Sequence, residues 1–465
     1  LDRTQGRPQE DAMQRSINAC DLMITTAPYH STGYTKKARA YFFLAWPMLM
    51  LNKDIRPFAS LAILNAKIAI ERNANDAYAY DMLGNSYVCL ARYGLRLEVD
   101  PNDYVEKALV AFKQSVKINE NFPWAYNDIG VAINTVGAWN HENGKSPVAQ
   151  LRNAIASFQR AIAIDQMYQS AYTGALRSYR LIVIHKISVG IDPAADVAES
   201  DLLAEQLLKM NNNSKPFYRN RVAQRLEYAG YLLKIGSDPD PVLKSALNDI
   251  AALRNIDLHD TVIHTHEAYA YQLLSMHNVQ NSITPIPFAE KGMAAAQKCL
   301  EVVPDFANCI ATYGSLRMIV WLWDEKNGDR ISGNLSRYLD SLLSLRNSIR
   351  EDPDVGCVIA EVAYAVAERT VGKKRSDALE AGSRVLSAVL VRASHFSLAH
   401  VLRGRLWLLA AADYKNPSER RLRLANARSS FLRAFELDPL LRRQYGAQLA
   451  ETERRLGIAS AELKN

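Results

Sequence analysis

Prolines recur at Pro101, Pro147, Pro193, Pro239 and Pro285, each 46 residues after the last, in a chain holding only 17 prolines among 465 residues. A fixed period of this size is the mark of a repeat architecture and limits the fold more than any composition figure does. The residues in front of these prolines are Asp100, Ser146, Asp192, Asp238 and Thr284. Asp, Ser and Thr accept hydrogen bonds from the unpaired amides of a helix start, and proline in the first turn loses no hydrogen bond there. Five helix starts are therefore marked at one phase, and Asp54, 46 residues before Asp100, reads as a sixth cap without its proline.

A second phase agrees. Tyr34, Tyr80, Tyr126, Tyr172 and Tyr218 are also 46 apart, and His264 and Ile310 continue the series. Four residues later come Ala38, Gly84, Gly130 and Gly314, and seven later Tyr41, Tyr87, Ile133, Tyr179 and Tyr271. Spacings of four and three trace one stripe of a helix, and a small residue between aromatics admits a close neighbour. The second half of each unit repeats the spacing in Ala62/Ala66/Ala69, Ala108/Phe112/Ser115, Ala154/Phe158/Ala161 and Ala246/Ile250/Leu253. The expectation is all-α: about nine stacked helix pairs with helices of roughly 17–22 residues, closed by a C-terminal capping helix. The chain divides on this reading into a polar segment and leading helix (1–28), seven in-register pairs (29–350), two looser pairs (351–439) and a basic capping helix (440–465).

These residues resemble the tetratricopeptide repeat. The family pattern of aromatic, Leu-Gly and Tyr is matched by Tyr80, Leu83, Gly84 and Tyr87; that of Ala, aromatic, Ala and Asp-Pro by Ala427, Phe431, Ala434, Asp438 and Pro439. The period departs from the family's, at 46 rather than 34, which lengthens both helices. The resemblance implies a right-handed superhelix that binds a peptide or protein on the concave wall of first helices. The residues beside the core stripe there are Arg39, Tyr78, Asp81, Asn85, Trp124, Asn127, Asn134, Thr173, Arg177 and Arg180. Asn satisfies backbone amides, Arg takes a carboxylate by its planar fork, and Trp or Tyr supplies contact area. The family's carboxylate-gripping Lys and Asn pattern is not reproduced. The reading is a scaffold, not an enzyme, without cofactor, acting in the cytoplasm as the binding part of a larger signalling protein; the absent initiator Met suggests a fragment.

Other chemistry is thinner. The stretch His259-Asp260 to His264, His266 and Glu267 is the sharpest metal candidate and the basis of an alternative, a metal-dependent enzyme. On a helix, however, His264 and His266 lie about 200° apart. Gly144-Lys145-Ser146 lacks the upstream glycine of a phosphate loop, where Trp139 stands. Five cysteines, Cys20, Cys89, Cys299, Cys309 and Cys357, are odd in number and form no CxxC, so all five read as free buried thiols in a reducing compartment. The longest apolar run, Phe42 to Leu51, contains Pro47 and falls far short of the ~20 residues of a membrane span. Residues 403–455 carry twelve basic and six acidic side chains, so nearly all of the net +7 lies there. That end is a possible dock for an anionic partner, and a nucleic-acid-binding solenoid is the other alternative.

Overall fold

The structure, a computed structural model, describes residues 6–51, 53–211, 213–257, 261–328 and 332–458. Among them are twenty-one α-helices and no strand. The helices are α1 (Gly6–Thr26), α2 (Ser31–Met50), α3 (Arg56–Arg72), α4 (Ala77–Arg96), α5 (Asn102–Ile118), α6 (Pro123–Glu142), α7 (Val148–Ile164), α8 (Gln169–Ser188) and α9 (Ala194–Met210). They continue with α10 (Lys215–Ile235), α11 (Asp240–Ile256), α12 (Thr261–Gln280), α13 (Ile286–Val302), α14 (Ala307–Lys326), α15 (Ser332–Leu343) and α16 (Asn347–Arg350). The last five are α17 (Pro353–Arg369), α18 (Lys373–Arg392), α19 (Ser397–Ala410), α20 (Pro417–Leu437) and α21 (Leu441–Leu456). No described helix is long and apolar enough to cross a membrane.

The repeat is visible in these bounds. The helices α2, α4, α6, α8, α10, α12 and α14 start 46 residues apart, and α3, α5, α7, α9, α11, α13 and α15 do the same. The described residues thus form a solenoid of antiparallel helix pairs that resembles the tetratricopeptide class. Its starts lie at the marked dipeptides for the expected reason: Asp54 accepts from the Arg56 amide at 3.0 Å, Asp100 from Asn102 at 2.9 Å and Asp238 from Asp240 at 2.9 Å. The intervening Pro101, Pro147 and Pro239 already have helical backbone angles. The register loosens from α15 onward, and the helices α17, α19 and α21 start 44 residues apart. The helix α15 starts in phase but runs for only 12 residues, and the one-turn α16 follows before Asp352 caps α17.

The small residues of the first helices receive the rings of the second. A β-carbon on Gly130 would meet Phe158 at 2.7 Å, and one on Gly174 would strike the same ring from the following pair. Gly84 stands likewise against Phe112, and Phe112 and Phe158 are fully buried. A glycine costs helix propensity of about 1 kcal/mol, which burial of a whole phenyl ring outweighs.

The cysteine reading needs correcting. Cys299, at the end of α13, and Cys309, at the start of α14, form a disulfide across the turn, with Cα atoms 6.5 Å apart. The antiparallel pairing brings these helix ends together. Cys20, Cys89 and Cys357 are free and buried.

The contacts divide the chain into two compact units, residues 1–185 with 194–212, and residues 186–193 with 213–465. In the first, α2, α4 and α6 touch in succession along one wall. In the second, α10, α12, α14, α17, α19 and α21 take that inner role, and α21 reaches back to α10. There Lys234 pairs with Asp438 at 2.9 Å and Arg443 donates to the Ile235 carbonyl at 3.2 Å. The second unit therefore closes into a ring.

Candidate functional site

On the wall of α2, α4 and α6 in the first unit, Asp81 of α4 and Asn127 of α6 hold the same position in successive repeats. Both are buried, Asp81 at 1% exposure. The Asn85 amide, one turn beyond Asp81, donates to Asp81 Oδ2 at 3.3 Å and to Asp128 Oδ2 at 2.6 Å. Asn127 donates to Asp128 Oδ1 at 2.8 Å. The Asn85 amide thus bridges the two carboxylates and Asn127 adds a second amide on Asp128, with no cation paired to either acid among the described residues. Asp81 Oδ1 and Asn127 Oδ1 accept no hydrogen bond from the described residues. Burial is the first cause of the raised pKa of both acids. The Asp128 charge adds to the effect on Asp81, which lies well above the ordinary carboxylate range, while the two amides oppose it on Asp128, which rises to about 6. The Tyr168 phenol nearby is raised by burial, then by these two acids.

An aromatic ledge adjoins them. Trp124, 48% exposed, meets Phe122 edge-on at 5.3 Å and Tyr78 at 6.1 Å. Arg39 lies over the rings of Phe43 and Tyr78 at 5.4 and 6.0 Å. Such rings attract cations through their electron-rich faces. The same wall carries basic groups. Arg92 sits over Trp46 at 5.1 Å, its pKa lowered to about 10 by burial and then by Arg177. Arg177 is lowered by enclosure within the protein and then by Arg180, although it keeps access to solvent.

Of the ten residues singled out in the sequence, Asp81, Asn85 and Asn127 form one hydrogen-bonded cluster, Arg39, Tyr78 and Trp124 the ledge, and Arg177 and Arg180 the basic end. Two have other roles. The buried Asn134 accepts from Ser178 Oγ at 2.8 Å and donates to the Gly174 carbonyl at 3.4 Å, tying α6 to α8. Thr173 bonds back to the Gln169 carbonyl of its own helix at 3.1 Å. Asp128, Tyr168 and Arg92 were missed. A signal existed for Arg92, which follows Asp81 and Asn85 on α4 by 11 and 7 residues and so shares their stripe.

The other candidates are dispersed. His259 and Asp260 lie outside the described residues. His264 and His266 sit on the helix α12, and Glu267 pairs with Arg254 at 2.6 Å. At the basic C-terminal end, Arg428 pairs with Glu453 at 2.8 Å, Arg454 and Arg455 with Glu451 at 2.7 and 2.6 Å, and Arg433 with Glu436 at 2.6 Å. Much of that charge is neutralised within the chain, while Arg420 and Arg421 are exposed.

No protein-family model matches the chain, and no curated protein matches it. Solved structures do. A thermophilic TPR protein of Thermus thermophilus is 17% identical with a TM-score of 0.31, over 50% of this chain and 98% of that one. YrrB, described as a TPR protein with an unusual peptide-binding site, is 15% identical at 0.28, over 53% and 95%. Yeast Tom70 is 12% identical at 0.44, over 97% and 88%. The chain's own geometry, helix pairs repeated every 46 residues with glycine seated on phenylalanine, is what makes it a solenoid resembling the tetratricopeptide class.

Proposed function

We propose that the chain is a non-catalytic interaction scaffold that holds an extended peptide of a partner protein against that wall of the first unit. A basic side chain of that peptide sits at Asp128 and beside Trp124, and an acidic group faces Arg92, Arg177 and Arg180. The carrying observation is the pair of the buried Asp81 and the partly buried Asp128, without a counter-ion among the described residues. Isolated buried charges are costly, and a cationic ligand supplies the missing partner. The exposed Trp124 supports the reading, since large aromatics enclosed by polar groups commonly anchor interfaces. Action in the cytoplasm as part of a larger signalling protein belongs to the same reading.

The test is selection of peptides from a random display library on the whole chain, with binding then measured by titration. Lysine- or arginine-bearing ligands are expected, losing on the order of tenfold affinity with Asp128→Asn and again with Trp124→Ala. Selected ligands that bind both variants as well as the parent would show that the wall is misassigned.

A further inference from the structure

Closure of the second unit leaves a cavity of about 740 Å³ inside the ring. Its lining includes the apolar Leu273, Met318, Ile319 and Val358 and the polar Asp354, Glu361, Arg405 and Tyr445. Asp354 and Glu361 are seven residues apart on α17 and so share its inner face. The other charges on the rim are matched: Lys234 with Asp438 at 2.9 Å, and Arg369 with Glu325 and, at 3.1 Å, with Glu368. Glu361 has no such match. Its charged neighbour is Arg405, whose guanidinium lies on the Tyr364 ring at 4.0 Å and reaches toward Tyr445 at 6.0 Å. No ion pair between Glu361 and Arg405 is present among the described residues. Burial raises the pKa of both Glu361 and Asp354. The interior thus holds the Glu361 carboxyl near one guanidinium that already faces an aromatic ring, while Asp354, also in the lining, keeps access to solvent.

We infer that the interior of the second unit is a binding site for a small amphipathic cation, its apolar body against Leu273, Met318 and Val358 and its ammonium or amidinium group at Glu361. The volume falls within the ~300–1,000 Å³ common for small-molecule sites, and a mostly apolar wall with a few convergent polar groups is their usual lining. The cation completes the charge that the wall leaves open. This site shares no residue with the peptide wall of the first unit, so either can fail without the other.

Dansylcadaverine, an aromatic body with a primary ammonium, is a suitable probe, titrated by fluorescence into the whole chain. Saturable binding is expected, weakened on the order of tenfold by Glu361→Gln, which keeps the side chain's shape and removes its charge. Ser315→Phe, which fills the interior from α14 without touching the acids, is expected to weaken it as much, and it serves if Glu361→Gln fails to fold. Anilinonaphthalene sulfonate, apolar but anionic, is expected not to displace the probe. Non-saturable uptake, binding indifferent to both substitutions, or displacement by the sulfonate would each overturn the assignment.

Discussion

Asp128 shows how a single residue reports on purpose. Its carboxyl, raised to about 6 by burial and softened by the Asn85 and Asn127 amides, binds a proton more readily in the folded chain than in the unfolded one. The folded state then holds more protons between the unfolded carboxylate value near 4 and 6, so this group's contribution to stability is present at low pH and lost as pH rises through 6. The groups facing it are Asp81, Asn85, Asn127 and Tyr168, and none brings a compensating positive charge. Asp128→Asn is expected to stabilise the chain at pH 7.5 by on the order of 2 kcal/mol and to have little effect at pH 4.5. Thermal melts at the two pH values measure the difference. Destabilisation at pH 7.5 would mean that the charge is already matched within the chain. A stabilising mutation at a wall residue is the usual trade of stability against binding.

Among the elements, the second-helix starts were readable in the sequence because cap chemistry is local: Asp100 and Asp238 bond amides two residues on, whatever the rest of the chain does. The stripe of Gly84 and Gly130 was readable too, but its partner was not, since Phe112 and Phe158 come to those glycines only through pairing. The same holds for Cys299 and Cys309, ten residues apart in sequence and joined because a turn brings two helix ends together. The short α15 had no signal that a period could supply. For the site, the residue types were legible and their partners were not: Asn127 reads as a free amide until Asp128 is seen to accept from it. The glycine–phenyl contact gives a test. Gly130→Ala places a methyl 2.7 Å from the buried Phe158 ring, which Gly174 confines on its other side. A loss of about 1–3 kcal/mol is expected, despite alanine's better helix propensity. Chemical denaturation decides the sign: a gain would mean that the ring yields freely.

At the scale of the whole array, closure changes what a solenoid's ends do. An open run of helix pairs has contacts on one side only at its terminal helices, which fray first because stability is a sum over neighbours. In the second unit the terminal inner helices meet, with Lys234 on Asp438 and Arg443 on the Ile235 carbonyl. Lys234 is partly exposed, so the pair contributes little through charge alone, about 0–1 kcal/mol. Its importance is positional, since it holds shut the ring that bounds the cavity. Amide hydrogen exchange is therefore expected to show α10 and α21 protected to a degree comparable with α14 and α17. Lys234→Glu combined with Arg443→Glu places like charge against Asp438 and removes the donor to Ile235. Exchange is then expected to accelerate in α10 and α21 while α14 and α17, whose neighbours are unchanged, keep their rates. Uniform acceleration along the unit would show that closure supports the whole array, and no acceleration at the two ends would show that the ring is not held there.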